Sequence, residues 1–168
     1  MKKSTKRWQK NHEVRVSAKC PCCGVNTTYF LEMTPEMIDG ILKFAIDVAI
    51  GTWCSETEIV GNKYLGTYDY EQVSRGGTLL LHDRNEKDIY ELNLDKFLYG
   101  VKLVFKRCRD FCYEEIREDH TLDYSARIVD YLIQYAVLGY VKYLRAEDCF
   151  SDTMYLCEES IVGDDYVD

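Results

Sequence analysis

Eight cysteines and one arginine on a glycine turn are the residues of this 168-residue chain whose types and spacing could do chemistry. Cys20-Pro21-Cys22-Cys23-Gly24 has the form of a zinc knuckle. In such a turn two thiolates aim at one ion while nearby backbone N–H groups offset the sulfur charge. Tetrahedral zinc needs four ligands. Cys108 and Cys112, four residues apart, can share one face of a helical turn and complete a set with Cys20 and Cys23, with His12 and His120 as substitutes. Such a site is closed and structural, with no open position for catalysis. The alternative is a set of thiols that merely closes a hairpin.

Ser74-Arg75-Gly76-Gly77 is the second constellation. Successive backbone N–H groups on a glycine turn can converge on an anion, with Arg75 as a charged clamp. The turn lacks the spacing of a phosphate loop or a dinucleotide fingerprint. It reads equally as a plain strand entry or bulge. Trp53, Tyr64, Tyr68 and Tyr70 lie close by in sequence and can stack on a planar base, or belong to core and interface. The candidate ligand set is therefore Trp53, Tyr68, Ser74, Arg75, Gly76 and Gly77. No catalytic pairing accompanies it. His12, His82 and His120 stand apart, Cys54 has no base beside it, and Ser74 has no nucleophile-elbow context.

Charge is distributed in blocks. The first ten residues carry five bases (Lys2, Lys3, Lys6, Arg7, Lys10) and no acid, whereas eight acids and no base follow Arg145. Removing those eight from the total of 29 acids leaves 21 against 21 bases, so the body is neutral. A neutral body disfavours direct nucleic-acid binding. No apolar run reaches the ~18 residues of a membrane span, and no apolar segment follows the N-terminal bases, as a signal peptide requires. The expectation is a cytoplasmic protein with reduced thiols. Of the 14 tyrosines, Tyr124, Tyr131, Tyr135, Tyr140 and Tyr143 run through the third helix and just beyond it, which suits a homo-oligomer interface or ordinary packing under the sheet equally.

The elements that must position these groups follow from pattern. Alternation over 13–19 and a β-branched, aromatic run over 25–33 predict a hairpin with the cysteines at its tip. Thr34 and Pro35 begin a helix, as N-cap and first helical residue, and Gly51 ends it. Thr57–Leu92 reads as strands broken at Gly61, Gly66 and Gly76-Gly77, closing with a hairpin around Asp83–Asp88. Asn93 caps a helix over Leu94–Arg107. Asp123–Leu138 is a third helix, apolar on most sides and hence central, stopped by Gly139. Tyr140–Leu144 is read as a last strand. The fold class is α+β: an antiparallel sheet with about three helices on it. The expected organisation is a disordered basic arm (1–12), one domain (13–145) and an acidic tail (146–168).

Several of these segments resemble a family of small proteins encoded by phages and prophages of gut and clostridial bacteria. The similarity runs through Trp53-Cys54, Glu58–Gly61, Tyr64-Leu65-Gly66, Glu71–Leu79, Tyr90–Leu92, Lys96–Leu98 and Ile128–Gly139. It spans about residues 30–139, and the hairpin tip, residues 108–120 and the acidic tail lie outside it. The resemblance therefore implies nothing about zinc. It does imply a small accessory protein of the host bacterial cytosol, of the kind that blocks host defence. Three forms follow: a sponge for a small anionic nucleotide signal, with Arg75 on phosphate and Trp53 stacking; an anti-CRISPR-like inhibitor of a host defence nuclease; or a zinc-stabilised interaction protein.

Overall fold

The computed structural model describes residues 10–19, 23–107 and 125–146. The fold is α+β, built among those residues from two antiparallel sheets and three long helices. Strands β1 (His12–Lys19) and β2 (Asn26–Met33) pair in register from His12 opposite Met33 to Lys19 opposite Asn26. Their period-2 pattern turns Val14, Val16, Leu31 and Met33 into the core and leaves Glu13, Arg15, Phe30 and Glu32 outside. Thr34 caps helix α1 (Pro35–Phe44) by accepting the Met37 N–H at 3.1 Å.

The end of α1 differs from expectation. The helix widens into a π turn over Ala45–Ala49 and stops at Ile50, whose N–H reaches back to the Ala45 carbonyl. Gly51 is not left-handed and is not the terminator. The wider turn keeps Ala45, Ala49 and Ile50 buried. Strand β3 (Cys54–Ile59) then pairs with β4 (Leu79–Asp83), and β4 with β5 (Ile89–Leu92), in a three-stranded sheet separate from the hairpin. Among the described residues the two sheets do not join into one. Between β3 and β4 the chain is a loop closed by two 3-10 turns, Asp69–Glu71 and Val73–Arg75.

Asn93 caps α2 (Leu94–Arg107) by accepting the Lys96 N–H at 3.0 Å. Helix α3 (Ala126–Leu138) starts at Ser125 and ends at Gly139, whose φ of 81° only glycine adopts without strain. Its residues 128–136 are all buried, so it is the central helix. Helices α2 and α3 touch at Gly100, where a Cβ would lie 2.6 Å from the Leu132 carbonyl oxygen. Residues 140–144 form no strand. The backbone N–H groups of Lys142 and Tyr143 are taken by a side chain of α3, as described below. No described helix is long and apolar enough to cross a membrane.

Candidate functional site

The structure buries Trp53 in the core and keeps Tyr68 and Ser74–Gly77 together in the β3–β4 connection. Trp53 follows the end of α1 and is fully buried. Its ring stacks on Tyr143 (centroids 5.9 Å apart, 15° between planes) and meets Tyr90 edge-on at 6.5 Å. Its indole N–H donates to Asp130 Oδ1 at 2.8 Å. With no exposed surface and its polar edge bonded to Asp130, Trp53 serves the core.

Asp130 is the hub of a buried polar network. It also accepts from Gln134 Nε2 (2.9 Å) and from Arg145 Nη1 (3.2 Å), which in addition donates to the Ala49 carbonyl. Burial pushes the Asp130 carboxyl up, against the pull of these donors. Gln134 Oε1 accepts the backbone N–H groups of Lys142 and Tyr143, and its Nε2 donates to the Tyr143 carbonyl at 2.9 Å. The segment after α3 is thereby fixed without a strand partner. At its other side Tyr143 and Tyr90 donate their hydroxyls to Asp83 Oδ2 at 2.7 and 3.0 Å. Burial raises the Asp83 carboxyl, but those hydroxyls and the N–H groups of Asn85 and Glu86 outweigh it, and the group ends below the usual range. Burial and the bond to Asp83 push Tyr90 up to about 12.

Ser74, Arg75, Gly76 and Gly77 sit together in the β3–β4 connection. Ser74 is buried and donates its hydroxyl to Asp39 of α1, whose carboxyl burial holds above the usual range. Arg75 pairs with Glu71 at 3.4 Å and is about one-third exposed. Glu71 Oε2 accepts the N–H groups of Thr67 and Tyr68, and the Tyr68 bond leads in holding its carboxyl low. Gln72 Oε1 accepts from the Leu65 N–H at 3.3 Å. Thr57 donates to Asp69 at the loop's base. A Cβ on Gly66 would fall 2.7 Å from Arg75 Nε, and one on Gly77 2.9 Å from Leu65 Cδ1, so the two layers of the loop close only over glycine. Gly76 has φ of 84° and ends the second 3-10 turn.

This well-tied loop presents apolar groups to solvent. Tyr64, Leu65 and Tyr68 are 53, 47 and 55% exposed, and Val60 is similar. Tyr68 stacks on Tyr70 at 5.2 Å with 12° between planes. Sequence reasoning named Tyr68 and Arg75 but missed Glu71, Leu65 and Gln72, although Glu71 and Arg75 are an i,i+4 pair of the kind that helical turns bring together. Two donors of the same connection, Gln72 Nε2 and Arg75 Nε, are buried with no hydrogen-bond partner among the described residues.

Cys54 is buried, and burial pushes its thiol up to about 11, so it carries little thiolate at neutral pH. Of the proposed zinc ligands, Cys20, Cys108 and Cys112 lie outside the described residues, and Cys23 is exposed. Among the described residues no cluster of three metal-ligating side chains occurs. Comparison with protein families, curated proteins and solved structures yields no match for this chain.

Proposed function

We propose that this chain is a non-catalytic binding protein that presents the loop of residues 60–70 to a protein partner. In the setting implied by the phage resemblance, that partner is a component of a host defence complex, and binding inhibits it. The observation that carries this reading is the exposure of Tyr64, Leu65 and Tyr68 on a loop held by Glu71, Gln72 and Asp69. Rigid exposed aromatics lose little conformational entropy on binding and supply large contact area, which is why they anchor protein interfaces. The nearby charges are already paired, Arg75 with Glu71 and Lys43 with Asp47, which favours an apolar partner surface over a free anion.

The test is recovery of the tagged protein from a bacterial cytosol, identification of the bound protein, and titration with that purified partner. The Leu65→Asp, Tyr68→Asp double variant should keep the melting temperature and lose affinity by about a hundredfold. Unchanged affinity overturns the loop as the recognition surface.

One observation favours a second reading, a small nucleotide-like ligand. Gln72 Nε2 and Arg75 Nε are buried without a hydrogen-bond partner among the described residues, in the same β3–β4 connection as the stacked Tyr68–Tyr70 pair. Calorimetry against cyclic and linear nucleotides separates the two. Saturable binding that weakens about tenfold to a hundredfold in Arg75→Ala supports the ligand reading.

A further inference from the structure

Among the described residues strand β1 is paired on one side only. Its eight residues face β2, and its other edge has no backbone partner among the described residues. In an antiparallel ladder alternate residues turn their N–H and C=O toward the neighbour and the rest turn them away. The free edge of β1 is therefore a row of unmet main-chain donors and acceptors, a template for another strand.

Helix α2 runs beside this strand and leaves a groove of about 240 Å³, lined by Glu13, Val14, Asp95, Leu98, Tyr99 and Lys102. Two features place the groove along the strand's edge and not across a face. Glu13 and Val14 are consecutive and so point to opposite faces of the ribbon, one exposed and one buried, yet both line the groove. On the helix, Asp95, Leu98, Tyr99 and Lys102 stand at i, i+3, i+4 and i+7, a single stripe. That stripe is ~10 Å long at 1.5 Å per residue, the rise of about three strand residues.

The lining also specifies chemistry. Val14 and Leu98 are apolar, Tyr99 offers a ring that is 54% exposed, and two carboxylates face one ammonium group. The local charge is thus negative, and a ring beside carboxylates favours a cationic side chain. We propose that the β1 edge and this stripe of α2 form a peptide groove that takes up an extended, basic segment of a partner protein by strand addition. The groove is separate from the 60–70 loop, and its test does not depend on that loop.

The probe is a fluorescent peptide of about ten alternating Thr and Val residues with a central Lys, titrated against the full chain by anisotropy. Two comparators carry Glu in place of Lys, or N-methyl groups on alternate amides. The Lys peptide should bind, the Glu peptide about tenfold or more weakly, and the N-methylated peptide not at all. Glu13→Lys should weaken the Lys peptide and Lys102→Glu should strengthen it. Both side chains are exposed, so neither change threatens folding. Absence of binding by the Lys peptide up to millimolar concentration overturns the proposal, as does indifference to N-methylation or to both charge changes. A dimer in sedimentation that Glu13→Lys splits assigns the edge to a second copy of this chain and overturns it too.

Discussion

Trp53 donates its indole N–H to Asp130, 77 residues further along the chain, across 2.8 Å of fully buried space. The bond ties the turn after α1 to the middle of the central helix. Asp130 is a buried acid, and it is tolerated because Trp53, Gln134 and Arg145 all donate to it. Trp53→Phe removes one donor and leaves a void against Tyr143. The expected loss is about 2–4 kcal/mol, read as a lower urea midpoint at unchanged slope. A loss below about 1 kcal/mol would show that the core repacks around Asp130 without the indole.

The carboxyl of Asp83 makes a pH prediction of definite sign. Its folded value lies below the ordinary 3.8, so its contribution to stability is present above that value and fades as pH falls through the depressed one. Asp83→Asn should destabilise the protein at neutral pH and flatten the acid limb of the stability curve below about pH 4. Asp130 and Asp39 act in the opposite sense, since burial raises both and stability falls as pH climbs through their raised values. Urea midpoints measured at stepped pH distinguish the two signs.

Gly100→Ala sets two effects against each other. Alanine favours a helix interior by about 1 kcal/mol over glycine. Its Cβ, however, would lie 2.6 Å from the Leu132 carbonyl oxygen and 2.7 Å from the Ala136 Cβ, atoms that cannot move without shifting α3. Overpacking of this kind costs about 1–3 kcal/mol and should win. Thermal melting of the variant checks the direction, and a rise in melting temperature contradicts it.

Gln134→Leu keeps the shape of a side chain that serves the segment after α3 but removes its hydrogen bonds to the backbone of Lys142 and Tyr143. Each unmet buried N–H costs about 1–3 kcal/mol. The segment should loosen before the whole fold does, so limited trypsin should cut after Lys142 faster in the variant than in the parent, under conditions where the rest of the chain stays intact.

Local features of this fold were legible in the sequence and distant ones were not. Thr34, Asn93 and Gly139 mark helix ends because capping chemistry is local, and all three act as expected. The helical run does end just before Gly51, as expected, but through a π turn that has no sequence mark and without a left-handed glycine. The alternation of Val141 and Tyr143 fits a strand, but only the fold reveals that Gln134 takes the backbone N–H groups a strand partner would need. Trp53 read as part of a ligand cage because its true neighbours, Asp130 and Tyr143, lie far along the chain. The 60–77 loop was half visible. Arg75 and Tyr68 stood out, whereas Glu71 looked like an ordinary surface acid until its bonds to Thr67 and Tyr68 were seen.

The dependence of the 140–146 segment on Gln134 and Asp130 also bears on the order of events during synthesis. The hairpins of 12–33 and 79–92 need only nearby residues and can form as they emerge. The polar hub cannot close until Arg145 is outside the ribosome, because Asp130 would otherwise be a buried carboxylate lacking its guanidinium. At about 5–20 residues per second, several seconds separate the emergence of β4 from that of Arg145. For that interval the core lacks the ion pair that closes it, and hairpins without a packed face are only marginally stable in water.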